Sequence, residues 1–187
     1  NATNENDNNN NNIPSIGRCE FVVGKVLKCE NHQNADKMYV EEIDLGEATG
    51  PRTIASAVRL HVPINEVRDS LVIVFKNLKP TDLRGVMSNG MIFAASNSDK
   101  SKIELIRPPK DCSIGERIIL ENDDLTRYTP DSEIDLKPKK KKGPTPWDDV
   151  VPFLKTNDRC EACFNGIRFM TSKGPLTCTS LANATFS

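Results

Sequence analysis

The 187-residue chain carries 25 Lys and Arg against 26 Asp and Glu, a formal net charge of −1, with 37% hydrophobic and 27% charged residues. That composition describes a globular chain long enough to bury a core, with polar attachments. It excludes a membrane-spanning helix, since no apolar run approaches the roughly 20 residues one needs, and the N-terminus lacks the basic-then-apolar pattern of a secretory leader.

Residues 1–12, NATNENDNNNNN, hold no apolar side chain beyond Ala2 and Ala-sized bulk. They cannot bury enough surface to offset the entropy of ordering. Residues 1–17 are therefore expected to form a disordered tail or interdomain linker leading into the C-terminal piece of a longer protein. Strands follow at once. Residues 21–29 (FVVGKVLKC) and 38–45 (MYVEEIDL) are rich in β-branched and aromatic side chains, and the turn-forming NHQNAD, 31–36, separates them. Gly24 inside the first predicts a bulge or tight bend that lets a short sheet curl. Residues 53–58, 71–75 and 91–95 supply three more strands. A mainly β fold results. Five short strands, with a long loop between the fourth and fifth, fit a Greek-key barrel of the OB type. Such barrels bind oligonucleotides on the strand 2–3 face and with the loops joining strands one to two and four to five. Those loops are here 31–36 and 77–88.

Charge is segregated along the chain. Residues 1–50 hold 4 basic against 9 acidic side chains and 111–136 hold 2 against 8, whereas 51–110 hold 10 against 5 and 137–187 hold 9 against 4. If folding brings the two basic blocks onto one face, they create a local positive field whatever the total. The stretch 78–96, LKPTDLRGVMSNGMIFAAS, places Lys79, Arg84, Ser88 and Asn89 on a polar loop entering an apolar strand. Cationic and amide groups on a loop fixed by strands suit the grasping of a polyanion; a plain solvated hairpin is the competing reading. Lys25, Lys28, Arg52, Lys76, Lys79 and Arg84, with Asn77 among them, are the candidate phosphate contacts. Ser88 and Asn89 offer short neutral donors, and Gly90 allows close approach of a backbone. Met91, on pattern alone, belongs to the core. Aromatics make up only 5% of the chain. Beyond Tyr39 and Phe75 few could serve as stacking platforms, which favours a folded RNA recognised by shape, 2′-hydroxyls and phosphates over sequence-blind binding of single strands.

After a barrel domain at 18–122, the acidic, Pro-interrupted run at 121–136 and the basic KPKKKK at 137–142 read as a connector, 123–143. The basic run is a solvated linker, a phosphate-grasping strap using Lys139, Lys140, Lys141 and Lys142, or a nuclear-localisation or anionic-lipid patch. A short helical turn is expected over 147–154 despite Pro152. Cys160-x-x-Cys163 with Cys178 gives three thiolates where structural zinc takes four ligands, and His32 and His61 lie far off in sequence. Neither histidine sits in a catalytic motif, so no metal, no cofactor and no enzyme activity are expected, and the cysteines read as buried thiols of a reducing, cytoplasmic compartment.

Three blocks, KVLKCENHQNADKMYVEEIDLGE, PRTIASAVRLHVP and NLKPTDLRGVMSNGMIFAAS, followed by TPWDDVVPFLKTNDRCEACFNGIRF and CTSLANATF, resemble the EMAP II-like tRNA-binding domain found on aminoacyl-tRNA synthetases and their non-catalytic cofactor or scaffold proteins. The resemblance covers nearly everything after Arg18. It implies an OB-fold holding tRNA, followed by a C-terminal extension, 144–187, that imitates the second subunit of a smaller dimer, so that the chain acts as a monomeric pseudo-dimer. It also places Met91 in a shared S-x-G-M signature and makes Met91 a site residue. The implied partners are tRNA and aminoacyl-tRNA synthetases or scaffold proteins, engaged through regions N-terminal to this chain. Some members act as cytokine-like signals, a trait linked to a heptapeptide near the first strand. Here that run is FVVGKVL, 21–27, with Val22 where the pattern has Arg. The alternative from a different class is a protein-interaction or cytokine-like domain binding a synthetase or a receptor.

Overall fold

The β-branched runs form the expected strands. The computed structural model describes residues 12–136 and 143–186. A single turn, α1 (Ser15–Arg18), leads into β1 (Phe21–Asn31), which pairs antiparallel with β2 (Tyr39–Asp44); β2 pairs with β3 (Arg52–Ser56). After a second turn, α2 (Ile64–Val67), β4 (Leu71–Phe75) returns along β1. The long loop that follows carries a two-stranded hairpin, β5 (Thr81–Leu83) and β6 (Val86–Ser88), and β7 (Met91–Ile92) then pairs with β4. The sheet order is β3-β2-β1-β4-β7. Its ends meet where the Asn89 amide donates to Thr53 O at 2.9 Å and the Ala55 amide donates to Ser88 Oγ at 3.0 Å. These two bonds draw the sheet into a nearly closed barrel.

The expected bulge in the first strand lies further on than Gly24. Register shifts between Val26 and Lys28, and Leu27 turns outward, 48% exposed. Gly24 instead answers a packing demand: a Cβ there would lie 2.7 Å from Ile43 Cγ2 and 2.9 Å from Leu45 Cδ2. The expected fifth strand, 91–95, breaks at Phe93. Its amide donates to Ile73 O and its carbonyl accepts from the Ile106 amide, so β7 stays with the barrel while β8 (Ala94–Ser96) leaves it. β8 pairs with β9 (Ile103–Leu105) and becomes part of a second sheet.

That second sheet is built mainly by the C-terminal residues. β10 (Ile119–Leu120), β11 (Leu154–Thr156), β12 (Ala162–Phe164), β13 (Ile167–Thr171) and β15 (Thr185–Phe186) extend it in the order β10-β13-β12-β11-β15-β8-β9, with β14 (Gly174–Pro175) on β13. The expected helical turn is α3 (Pro146–Val150). Thr145 and Asp148 form a reciprocal capping box and Pro146 sits in the first turn, where its missing N–H costs nothing. Pro152 falls in the 3-10 turn Val151–Phe153 that follows.

Two apolar clusters result. One fills the barrel with Val22, Val26, Ile43, Ile54 and Val72. The other lies between the barrel and the second sheet, where Phe21 meets Phe75, Phe93 and Phe169 edge-on, Trp147 lies 4.9 Å from Phe75, and Phe93 meets Phe186 at 5.3 Å. The acidic segment before the basic run is bound into this body. Arg18 forks onto Asp131, Leu125 and Ile134 are buried, and Ile134 bridges Leu78 in parallel.

Candidate nucleic-acid interface

Barrel closure creates a groove across the junction of β3, the β5–β6 hairpin and β7. At its centre is a cavity of about 430 Å³ walled by Ala55, Leu78, Pro80, Leu83, Met91 and Leu136, with Lys79, Thr81, Asp82 and Asp135 at its polar edge. It shares Leu78 and Pro80 with a second cavity of about 330 Å³ that holds Arg52, Lys76, Asn77 and Asn89. On the other side it shares Ala55, Leu83 and Met91 with a third, of about 300 Å³, bounded by Met38 and Val58. The groove therefore runs from a charged end, where Glu133 joins Arg52 and Lys76, through an apolar middle, to an apolar end.

Most of the candidate residues on the barrel meet here, in two different capacities. Lys79 stands half-exposed, 3.4 Å from Asp135, and Arg84 is exposed at the hairpin tip with φ +57°. Among the described residues no carboxylate pairs with Arg84. Arg84 thus projects a cation with no ion pair among the described residues, and Lys79 one held by a single half-exposed pair. Arg52 is different. It forks onto Glu47 at 2.6 and 2.8 Å and donates to Lys76 O and Asn89 O, and this bond holds the Glu47 carboxyl below its ordinary range. Lys76 pairs with Glu20 at 3.2 Å.

The neutral donors are structural too. Asn77 accepts from the Glu20 amide and donates to Arg18 O and Asp131 O. Ser88 is 3% exposed, accepting from Ala55 and donating to Gly90 O, and Asn89 Nδ2 donates to Thr53 O and Met87 O. Gly90, at φ +153°, packs its backbone against Ile54, Val74 and the Phe75 carbonyl, within 3.2 Å of where a Cβ would stand. Met91 packs half-buried against the core and walls the groove. Lys25 and Lys28 lie on the central strand β1, away from the groove, and Lys28 pairs with Glu30 at 3.3 Å. Lys139, Lys140, Lys141 and Lys142 lie outside the described residues.

The two aromatics read as possible platforms are both core. Tyr39 is buried with its hydroxyl on Val62 O at 2.7 Å, and Phe75 is fully buried. Aliphatic side chains line the groove instead. Sequence reading also passed over His32, which sits buried under the first loop; its ring bonds the Leu83 carbonyl while Asn34 Nδ2 donates to Arg84 O. The loops flanking the groove are thereby tied to each other. The signal was present as a histidine inside an otherwise Asn-rich turn, but its partner is 51 residues away.

Comparison with known proteins fits this geometry. The family model described as a putative tRNA binding domain matches residues 21–117, the barrel strands and the hairpin. The chain is 38% identical over 176 residues to the cytoplasmic methionine–tRNA ligase of Arabidopsis thaliana, covering 91% of this chain and 20% of that protein. It is 35% identical over 170 residues to the aminoacyl tRNA synthase complex-interacting multifunctional protein 1 of Cricetulus griseus, covering 90% of this chain and 44% of that one. The chain thus spans less than half the length of either relative. The crystal structure of the C-terminal domain of Plasmodium vivax p43 superposes with a TM-score of 0.82 at 33% identity, covering 94% of this chain and all of that one. With the family model covering the barrel and the solved domain covering both barrel and extension, the chain belongs to the tRNA-binding domain family.

Proposed function

We propose that this chain is a non-catalytic tRNA-binding module that holds tRNA through its groove and assists or scaffolds aminoacyl-tRNA synthetases in the cytoplasm. The observation that carries the reading is the groove itself, with Arg84 on a hairpin tied down by the first loop and Lys79 beside it, held by one half-exposed ion pair. Fixed donors on a rigid scaffold meet a polyanion at little ordering cost. Lys76, whose ammonium has donors beyond its Glu20 partner, extends the charged end of the groove. Lys25 and Lys28 on β1, and Lys139 to Lys142, are further contacts for an RNA large enough to reach past the groove. The relatives' names attach them to synthetases and a synthetase complex, and this chain takes the same partners in our reading. The extension covers Phe21, Phe75 and Phe93, which supports a monomer whose C-terminal part stands where a second copy would otherwise pack.

Anisotropy titrations with tRNA, an unstructured RNA and duplex DNA across a salt series test the proposal. It expects preference for tRNA and a salt slope corresponding to roughly four to eight neutralised phosphates. Equal, weak binding of all three would transfer support to the protein-interaction alternative.

A further inference from the structure

The middle of the groove is chemically wrong for a phosphate. Its walls are the aliphatic side chains of Ala55, Leu78, Pro80, Leu83, Met91 and Leu136, and its polar edge carries Asp82 beside the Lys79–Asp135 ion pair. A phosphate placed there would be desolvated against hydrocarbon and would face the Asp82 carboxylate, both unfavourable. Cations stand to either side, Lys76, paired with Glu20, in the adjoining cavity that Glu133 also lines, and Arg84 at the hairpin tip. An apolar slot between two cationic flanks matches the repeat of a nucleic-acid chain, with a flat apolar base between charged phosphates. A volume of about 430 Å³ admits a base with its ribose, and apolar side chains serve as faces for an unstacked base where aromatic ones are absent.

The carboxylates narrow the choice of base. Asp82 Oδ1 accepts from the Gly85 amide at 2.9 Å, which fixes the side chain at the mouth of the hairpin. A carboxylate has about four acceptor sites, so the second oxygen and the spare lone pairs remain for a ligand. A carboxylate accepts and never donates, so it selects N–H donors. Guanine alone among the bases presents a ring N–H and an exocyclic amine side by side on its Watson–Crick edge. We infer that the central cavity takes one unpaired nucleobase of the bound RNA, guanine in preference, with its apolar faces against Leu83, Met91 and Leu78 and its Watson–Crick edge on Asp82. This rests on the RNA-binding reading above and deepens it: a base is read as well as a shape.

The test uses the full chain with three RNA probes, a blunt-ended duplex, an oligouridine strand, and the same strand with one central guanosine. The single-guanosine strand is expected to bind roughly tenfold more tightly than oligouridine, the discrimination of one bidentate base contact. Asp82→Asn keeps the oxygen that caps Gly85 but loses the acceptor pair. It is expected to abolish the guanosine preference while leaving duplex binding equal or tighter, because a like charge has been removed. Ala55→Met, which fills the cavity floor, should weaken both single strands and leave the duplex unchanged; that retained duplex binding shows the variant is folded. The inference is overturned if Asp82→Asn strengthens all three probes alike, or if Ala55→Met leaves single-strand binding intact. A wild-type chain that binds none of the three, and no tRNA, would instead sink the RNA-binding reading itself.

Discussion

His32 Nε2 lies 2.8 Å from the carbonyl oxygen of Leu83, although 51 residues separate them. The Asn34 amide donates to Nδ1 at 3.0 Å, so Nδ1 is the acceptor and Nε2–H the donor. A ring that is 3% exposed thus has both nitrogens satisfied and joins the first loop to the hairpin that walls the groove. The hairpin, two three-residue strands paired to each other, would be marginal alone.

Replacing His32 with Ala leaves the Leu83 carbonyl and the Asn34 amide without these partners. The expected loss is about 1–3 kcal/mol of stability. Amide hydrogen exchange should speed up over 81–88 before it does in β1 or β4, and tRNA affinity should fall with it. Unchanged exchange in the hairpin would show that the clip does not hold it.

Cations that look alike in sequence should separate by phenotype. Lys79→Ala with Arg84→Ala removes two side chains whose structural partners are one exposed ion pair at most, a contact worth about 0–1 kcal/mol. The double variant should bind tRNA more weakly, with a salt slope smaller by about 2, and melt near the wild-type temperature. Arg52→Ala should do the reverse of the second part. It strands Glu47 and frees the carbonyls of Lys76 and Asn89 at the seam of the barrel, so its melting temperature should drop clearly.

These contrasts explain how far the residues could be read in order. β4 matches its expected run of β-branched residues end to end, because burial on both faces leaves a continuous apolar signal, and β1 and β2, the latter alternating buried and half-buried, differ from theirs only at the edges. The break at Phe93 has no such signal. It comes from Ile73 and Ile106 bonding one residue from two sides. Arg52, Asn77, Ser88 and Gly90 lie at the groove, and the structural partners of Arg52, Asn77 and Ser88, among them Asp131 and Ala55, are distant in sequence and only folding reveals them. The apolar lining went unnoticed because Leu78, Pro80 and Leu83 alternate with charged residues and read as loop.

Glu41 gives the barrel a pH dependence of unusual sign. It is fully buried on β2, accepts a short hydrogen bond from Ser56, and its other oxygen has no partner among the described residues. Burial pushes its pKa up to about 8. A group whose pKa is higher folded than unfolded contributes its full stability below the unfolded value and loses it as pH rises through the folded one. Its contribution should therefore fall between about pH 4.5 and 8, by on the order of 4 kcal/mol. Glu41→Gln, neutral throughout, should match wild type within a small constant offset near pH 5 and exceed it at pH 8.5, as read by urea denaturation at each pH. Parallel curves for the two proteins would show that Glu41 does not titrate in this window.

The single tryptophan offers a last test, one that needs no substitution. Trp147 sits at the start of α3, after the basic run, and packs 4.9 Å from Phe75 and 6.4 Å from Phe21, residues of the barrel sheet. Its emission thus reports whether the C-terminal residues remain docked, while the far-ultraviolet circular dichroism reports the strands of both sheets. β15 pairs with β8, and β8 continues directly from β7 of the barrel, so undocking the extension would also strip a strand partner from the chain that closes the barrel. The aromatic contacts and the shared strand predict one cooperative unit. Urea transitions followed by tryptophan emission and by circular dichroism should coincide in midpoint and slope. An emission change at lower urea than the dichroism change would mean that the extension leaves first and the barrel stands without it.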